Sequence, residues 1–249
     1  MVRDFVLIII FISGNLVSDS LDSMVTYDEH FDIAIGYYNS QRYKLAESEF
    51  KKILIDRKNY SDPVSHLMLA KSQYFQNKII KCQRTCKSYL NKYPKSEYEI
   101  NVRLLISDVL IRQEKYSNVI EELLPVRLEA QDSLLQHNID YRILSSITIG
   151  ISSSKIERLL FSSENKINRS ILNLARSYRS LLDGNTNDME LSLSVIEPEI
   201  LPDQYKNLFN GLIRFIGSEN KSHGTAVSYT HLRAHETRHD LVCRLLLEK

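Results

Sequence analysis

The arrangement of apolar and polar residues from Phe31 onward has a helical period and repeats along the chain. In "FDIAIGYYNSQRYKLAESEFKKIL", apolar residues recur three or four positions apart in two runs, separated by the polar stretch "NSQR". That spacing predicts two amphipathic helices joined by a short turn. The arrangement returns in "LMLAKSQYFQNKIIKCQRTCKSYL", 36 residues later, and in "LLISDVLIRQEKYSNVIEELLPV", 37 residues after that. The pattern therefore predicts three successive helix hairpins.

Equivalent positions of the three hairpins carry equivalent side chains. Small residues recur where two helices approach closely, and bulky apolar residues recur where a helix packs against its neighbour. The positions are Ala34, Tyr37, Ala46, Phe50 and Ile53 in the first hairpin, Ala70, Cys82, Cys86, Tyr89 and Pro94 in the second, and Ser107, Val119, Leu123 and Val126 in the third.

These positions resemble the tetratricopeptide repeat over about residues 25 to 130. Two positions depart from the family pattern: Gln73 stands where an aromatic residue is usual, and Pro125 is expected to kink or shorten the last helix of the third repeat. The resemblance implies helix hairpins stacked into an α-solenoid whose concave face binds protein or peptide partners. Counting along the first helix of each repeat, the predicted partner-binding residues are Tyr38, Asn39, Lys71, Tyr74, Phe75, Asp108 and Arg112.

Residues 131–217 keep a helical pattern that is less regular. Apolar residues recur at steps of four from Leu135 to Ile151 and at steps of three or four from Ile171 to Leu181, after which "DGN" is a helix stop signal. A further helix is predicted from Asp203 to Ile216, followed by a linker over residues 218–225. We interpret this part as degenerate hairpins that continue the stack, so the predicted fold class is all-α.

The first 20 residues have the layout of a secretory signal peptide. Arg3 precedes an apolar run from Phe5 to Ile12, and small or polar residues follow. An uncleaved anchor and a buried first helix are the alternatives. The segment "LNKYPKSEYEINVRLLISDVL" is similar to a junction found in envelope tetratricopeptide proteins of Gram-negative bacteria, including outer-membrane assembly lipoproteins. No Cys precedes Cys82, which argues against a lipid-modified N-terminus. The expected location is the periplasm.

Composition narrows the functional classes further. The net charge of +1 lacks the overall positive charge that is typical of nucleic-acid-binding proteins. We find no phosphate-binding Gly-rich loop and no nucleophile–base pair. No cofactor is predicted. Cys82 and Cys86 occupy core positions four residues apart on a predicted helix, where packing is favoured over a disulfide.

The C-terminal segment "HETRH" matches the spacing of a zinc-hydrolase helix, with His235 and His239 as ligands and Glu236 as the base. The extended form of that motif has Gly and His where this chain has Val242 and Leu245. Residues 226–249 instead resemble a tail that recurs on unrelated proteins predicted from metagenomic assemblies and looks like translated sequencing-adapter sequence. A zinc metallohydrolase remains the alternative from another class.

The function expected from these features is that of a non-enzymatic, exported interaction module of the bacterial envelope. By architectural analogy it is the front part of a larger periplasmic protein with a solute-binding-like domain, as in penicillin-binding-protein activators. The alternative is a free-standing outer-membrane assembly scaffold that associates with the membrane through a partner.

Overall fold

The computed structural model describes residues 27–56 and 62–222, and these residues form helices and turns without a β-strand. The expected all-α fold class is therefore confirmed. A single 3-10 turn spans Val126–Leu128. The α-helices are α1 (Tyr27–Asn39), α2 (Tyr43–Asp56), α3 (Pro63–Phe75), α4 (Ile79–Lys92), α5 (Glu99–Arg112), α6 (Tyr116–Leu123), α7 (Ser133–Gly150), α8 (Ser153–Ser162), α9 (Lys166–Leu182), α10 (Thr186–Ser194) and α11 (Asp203–Ser222).

One turn conformation recurs in the three predicted hairpins. A residue with positive φ follows the first helix in each: Gln41 (60°), Asn77 (60°) and Glu114 (58°), which stand 36 and 37 residues apart. In each turn this residue donates its backbone N–H to the carbonyl three positions back, and the next residue donates to the carbonyl five positions back. The pairs are Gln41–Tyr38 and Arg42–Tyr37, Asn77–Tyr74 and Lys78–Gln73, and Glu114–Ile111 and Lys115–Leu110, all at 2.8 or 2.9 Å. The three hairpins therefore share one turn geometry, at the 36- and 37-residue offsets found in the sequence.

A fourth hairpin of the same geometry joins α9 to α10, and the sequence pattern alone did not register it as a repeat. Gly184 has φ 75°, and it donates to Leu181 O while Asn185 donates to Ser180 O. The equivalent core positions are buried here too, and they hold Ser177, Met189, Leu193 and Ile196. Ser177 and Leu193 match Ser107 and Leu123 of the third hairpin, but Met189 is larger than the residue at this position in the other hairpins. The 70-residue offset from the third hairpin, about twice the repeat length, also hid the repeat.

The chain divides into two compact units between Val102 and Arg103, within α5, and we describe each unit separately. In the first unit, α1 packs on α2, α2 on α3 and α3 on α4. Ala34, Ala46 and Phe50 are fully buried, as the pattern predicts for helix contacts. Cys82 and Cys86 are buried and form no disulfide, with their Sγ atoms 4.0 Å apart, so they pack as small apolar side chains.

In the second unit, Pro125 shortens the third hairpin as expected. Helix α6 ends at Leu123 after only eight residues, and the chain continues from Pro125 into the 3-10 turn. Helix α6 packs on α7, α8 and α10 pack on α9, and α11 contacts α7, α9 and α10. Ile139, Ile143 and Ile147 of α7 are buried, as their four-residue spacing predicts.

The predicted end of the last helix at Ile216 is wrong, because α11 continues to Ser222. Residues 218–222 are therefore helical and do not belong to a linker. The polar stretch after Ile216 suggested a break, but it contains no Pro, and one glycine, Gly217, costs a helix only about 1 kcal/mol relative to Ala. A solvated helix can continue through such a segment without apolar anchors.

Three predictions lie outside the described residues: the signal peptide (1–20), residues 223–225 of the linker and the probable non-native tail (226–249). Within residues 27–56 and 62–222, none of the helices has the length and apolar character that a membrane span requires.

Candidate functional site

Five of the predicted partner-binding residues lie in the first unit, near the ends of α1 and α3. Tyr38 and Tyr74 occupy equivalent places just before the recurring turn, and so do Asn39 and Phe75. Tyr38, Lys71 and Tyr74 are half-buried, whereas Asn39 and Phe75 are exposed. The repeat register therefore brings the same two positions of consecutive hairpins to the same end of each hairpin.

Aromatic rings from three helices meet at this end of the hairpins. The Phe75 ring is stacked on Tyr43 at 4.9 Å between centroids, with 18° between the ring planes. Edge-to-face contacts join Tyr38 to Tyr43 at 5.4 Å, Tyr38 to Phe75 at 6.0 Å and Tyr74 to Phe75 at 5.5 Å. We call these four residues the aromatic cluster. Half of the Phe75 surface remains exposed, so the cluster presents an apolar surface to solvent.

Tyr43 belongs to this cluster, although sequence reasoning did not select it. It begins α2 directly after the turn, and the positive φ of Gln41 folds the chain back so that Tyr43 reaches Tyr38 and Phe75. The signal available in the sequence was the pair of tyrosines on either side of "NSQR". Burial and, second, the neighbouring Tyr43 raise the pKa of Tyr38, so its hydroxyl stays protonated at neutral pH.

Lys71 is the cationic group of this face. It precedes Tyr74 and Phe75 by three and four residues on α3, which places the three residues on one side of the helix. Burial lowers the pKa of the Lys71 ammonium, which has no hydrogen-bond or ion-pair partner among the described residues. A partly desolvated ammonium gains most from a ligand that supplies a carboxylate or a carbonyl oxygen.

A buried carboxylate holds the turn that carries Phe75 against α2. Glu47, which is 3% exposed, accepts hydrogen bonds from Lys78 (2.6 Å), Lys51 (2.7 Å) and Gln76 (2.9 Å). Gln76 also donates to the Tyr43 carbonyl at 3.0 Å. Burial alone would raise the pKa of Glu47, but these hydrogen bonds outweigh it and lower the pKa to about 2. These hydrogen bonds therefore fix the backbone of the turn that follows Phe75.

The other two predicted binding residues, Asp108 and Arg112, lie on α5 in the second unit. Asp108 accepts two hydrogen bonds from the guanidinium of Arg142 on α7, at 2.8 and 3.3 Å. This pair links α5 to α7, and it leaves the Asp108 carboxylate less available to a ligand. Arg112 is exposed. A binding role for either residue stays a prediction.

A cavity of about 490 Å³ in the second unit is lined by residues of α9, α10 and the segment that follows. Its arginines already have partners. Arg169 donates to the carbonyls of Leu160 and Ser163 at 3.1 Å, and Arg176 donates to both carboxylate oxygens of Asp188 at 3.2 and 2.6 Å. The hydrogen bond to Asp188 is the main cause of the raised pKa of Arg176. These groups stabilise the fourth hairpin and offer little to an anionic ligand.

A buried polar group lies elsewhere in the second unit. Arg127 donates to Asp140 through Nε at 2.5 Å and Nη2 at 3.0 Å, and the hydroxyl of Tyr205 donates to Asp140 Oδ1 at 3.0 Å. All three residues are at most 2% exposed. Burial first, and then the charge of Asp140, raise the pKa of Tyr205 well above its ordinary value. With no access for a ligand, the arrangement joins the 3-10 turn, α7 and α11.

No group of three or more His, Cys, Asp or Glu side chains suited to a metal ion occurs in the part of the chain that the structure describes. The candidate zinc residues His235, Glu236 and His239 lie outside the described residues.

Comparisons with known proteins add little to this geometry. No protein-family model matches the chain, and no curated protein matches it. Among solved structures, a thermophilic TPR protein of Thermus thermophilus is similar over 88% of this chain and 97% of its own, with 18% identity and a TM-score of 0.29. A TM-score this low carries no argument, and the likeness of the four hairpins to one another rests on their recurring turns and core positions.

Proposed function

We propose that this chain is a non-enzymatic protein-interaction module, and that the first unit binds a segment of a protein partner over the face formed by α1 and α3. The observation that carries the proposal is the half-exposed Phe75 in the aromatic cluster, on the same helix side as the unpartnered Lys71. Aromatic residues dominate binding energy at protein interfaces, particularly where they are held rigidly.

The chemistry of this face defines the ligand class. The exposed half of the Phe75 side chain takes an apolar side chain, and the Lys71 ammonium takes a carboxylate or a main-chain carbonyl nearby. A peptide with an apolar residue close to an acidic one satisfies both groups. The rigid turn beneath Phe75 limits the entropy lost on binding, because Glu47 and Gln76 already hold it.

A displayed peptide library selected on the full chain tests this proposal. We expect the selected peptides to lose at least about tenfold in affinity to Phe75→Ala, the cost of a moderate hot spot, and to lose affinity also to Lys71→Met. Phe161→Ala is the matched control, since Phe161 is 95% exposed on α8 and belongs to no cluster. Peptides that bind all three variants as tightly as the wild type would refute the α1–α3 face.

The location of the module is part of the same proposal. We propose that the chain is exported to the periplasm and forms the front part of a larger envelope protein; a free-standing outer-membrane assembly scaffold is the alternative. Expression of the full chain in a Gram-negative host, with fractionation and N-terminal sequencing, tests export: removal of about the first 20 residues supports it, in line with the usual length of a signal peptide. An intact N-terminus in the cytoplasmic fraction contradicts it.

The nature of the C-terminal tail is decided by sequencing the source DNA across the codons for Thr225 and His231. A reading frame that continues into a strand-rich domain supports the larger-protein proposal and marks the tail as foreign. A frame that encodes Ser228 to Lys249 and then stops makes the zinc hydrolase worth testing. Zinc bound in a 1:1 ratio and lost in His235→Ala would then favour it.

A further inference from the structure

Helix α4 in the first unit presents a face that carries only positive charge. Its sequence contains Lys81, Arg84, Lys87 and Lys92 and no Asp or Glu, and all four cations are exposed. We call these four residues the basic face. The whole chain has a net charge of only +1, so this concentration is local and does not reflect the average composition.

The basic face is free of neutralising partners. None of its four side chains forms an ion pair among the described residues, although Lys92 lies over the Tyr93 ring at 5.2 Å. By contrast, Lys51 on α2 and Lys78 directly before α4 both form ion pairs with Glu47. Exposed cations that lack acidic neighbours within a few ångströms keep their full attraction for an external anion.

Helix geometry makes this face one continuous surface. At 3.6 residues per turn, the four cations cover roughly 140° of the helix circumference and about 16 Å of its length. The opposite side of α4 holds Cys82, Cys86 and Tyr89, which are buried in the core of the second hairpin. The helix therefore cannot turn its apolar side outward, and Ile80, 63% exposed, is the large apolar residue it does present.

We infer that the basic face of α4 is a docking surface for an anionic phospholipid bilayer. Three of the four cations are lysines, whose compact charges on flexible stems suit a diffuse layer of headgroups better than a fixed bidentate acceptor. A single helix is convex and offers no groove, and a protein interface would need a central apolar anchor where lysine is depleted.

Binding of the full chain to vesicles tests this inference. The partition coefficient is measured by co-sedimentation with phosphatidylcholine vesicles and with vesicles that also contain about 30% phosphatidylglycerol, which supplies the anionic surface. The ratio of the two coefficients isolates the anionic contribution, because any binding that does not depend on lipid charge is common to both. We expect the wild-type ratio to exceed tenfold at low salt and to shrink as salt is raised, since each cation at the surface contributes about fivefold.

Two variants of equal charge locate the effect. The quadruple variant K81Q/R84Q/K87Q/K92Q is expected to lose about tenfold or more of the anionic preference. The control K44Q/K115Q/R158Q/K166Q removes three exposed lysines and one exposed arginine from other parts of the chain, and is expected to lose less than about threefold because those cations are scattered.

Three results would overturn the inference. A wild-type chain without anionic preference excludes the bilayer. Equal losses in both quadruple variants mean that net charge, and not the basic face, governs binding. Capture of poly-glutamate by wild type but not by the α4 variant, without preference for anionic vesicles, assigns the face to an acidic protein segment instead. The peptide selection on Phe75 and Lys71 does not depend on any of these results.

Discussion

The buried pair of Arg127 and Asp140 should dominate the stability of the second unit. Both side chains are at most 3% exposed, and they form two hydrogen bonds in a bidentate arrangement. Arg127→Met removes the cation but leaves the Asp140 carboxylate buried, with the Tyr205 hydroxyl as its remaining side-chain donor. Breaking a buried pair in this way costs about 3–5 kcal/mol.

That loss is a large share of the free energy of unfolding, which is about 5–15 kcal/mol for domains of this size. With a urea dependence of about 2 kcal/mol per molar, a loss of about 4 kcal/mol moves the unfolding midpoint down by about 2 M. Asp140→Asn should cost a similar amount, because it strands the guanidinium. Replacing both residues, as in R127M/D140L, should cost much less than the sum, since no buried charge remains.

Urea unfolding followed by far-ultraviolet circular dichroism measures these effects, since the chain has no Trp for fluorescence. The matched control is Arg179→Met, which removes a pair of the same bidentate geometry, with Asp183 at 2.6 and 2.9 Å, but with both side chains at least 33% exposed. We expect the control to cost less than about 1 kcal/mol. A cost of Arg127→Met no greater than that of this control would refute the role of the buried pair. So would a double variant whose cost equals the sum of the two single-variant costs.

Three further predictions concern the first unit and the turns. Because hydrogen bonds lower the pKa of Glu47 from 4.5 to about 2, its contribution to stability is complete above pH 4.5 and is lost as the pH falls toward 2; Glu47→Gln should flatten acid unfolding curves in that window. Burial is the main cause that lowers the pKa of His66, so stability should decline as the pH falls below about 6.5, and His66→Leu should remove this decline between pH 7 and 5. Asn77→Gly should stabilise by about 0.5–1 kcal/mol, because glycine adopts positive φ without steric cost. Gly184→Ala at the equivalent turn should destabilise by about 1 kcal/mol. A destabilising Asn77→Gly or a stabilising Gly184→Ala in calorimetry would contradict the shared turn geometry.

The hairpins were predictable because their signal is local. Periodic apolar residues specify each helix, and equivalent small and bulky residues at offsets of 36 and 37 specify the register between hairpins. The positive-φ turns occur at those offsets. The hairpin of α9 and α10 escaped recognition because it follows the third hairpin at an offset of 70 residues and has the larger Met189 where the other hairpins have a smaller residue.

The candidate site was only partly predictable. Helical counting placed Tyr38, Lys71, Tyr74 and Phe75 on the first helices of their hairpins, but it could not show that Phe75 stacks on Tyr43. Nor could it show that Asp108 is held by Arg142, which is 34 residues away in sequence.

The sequence by itself determined the helical class, the hairpin register and the shortening of α6 at Pro125, because each depends on contacts or dihedral preferences within a few residues. The tertiary structure decided which polar groups are already bound and which remain available. Glu47, Asp108 and Asp140 are all acidic residues on helices, yet each receives partners from another helix or from a turn. Such pairings depend on how helices pack, and no local pattern in the chain records them. The same packing leaves Lys71 and the basic face of α4 without ion-pair partners among the described residues, so their charges remain available to a ligand.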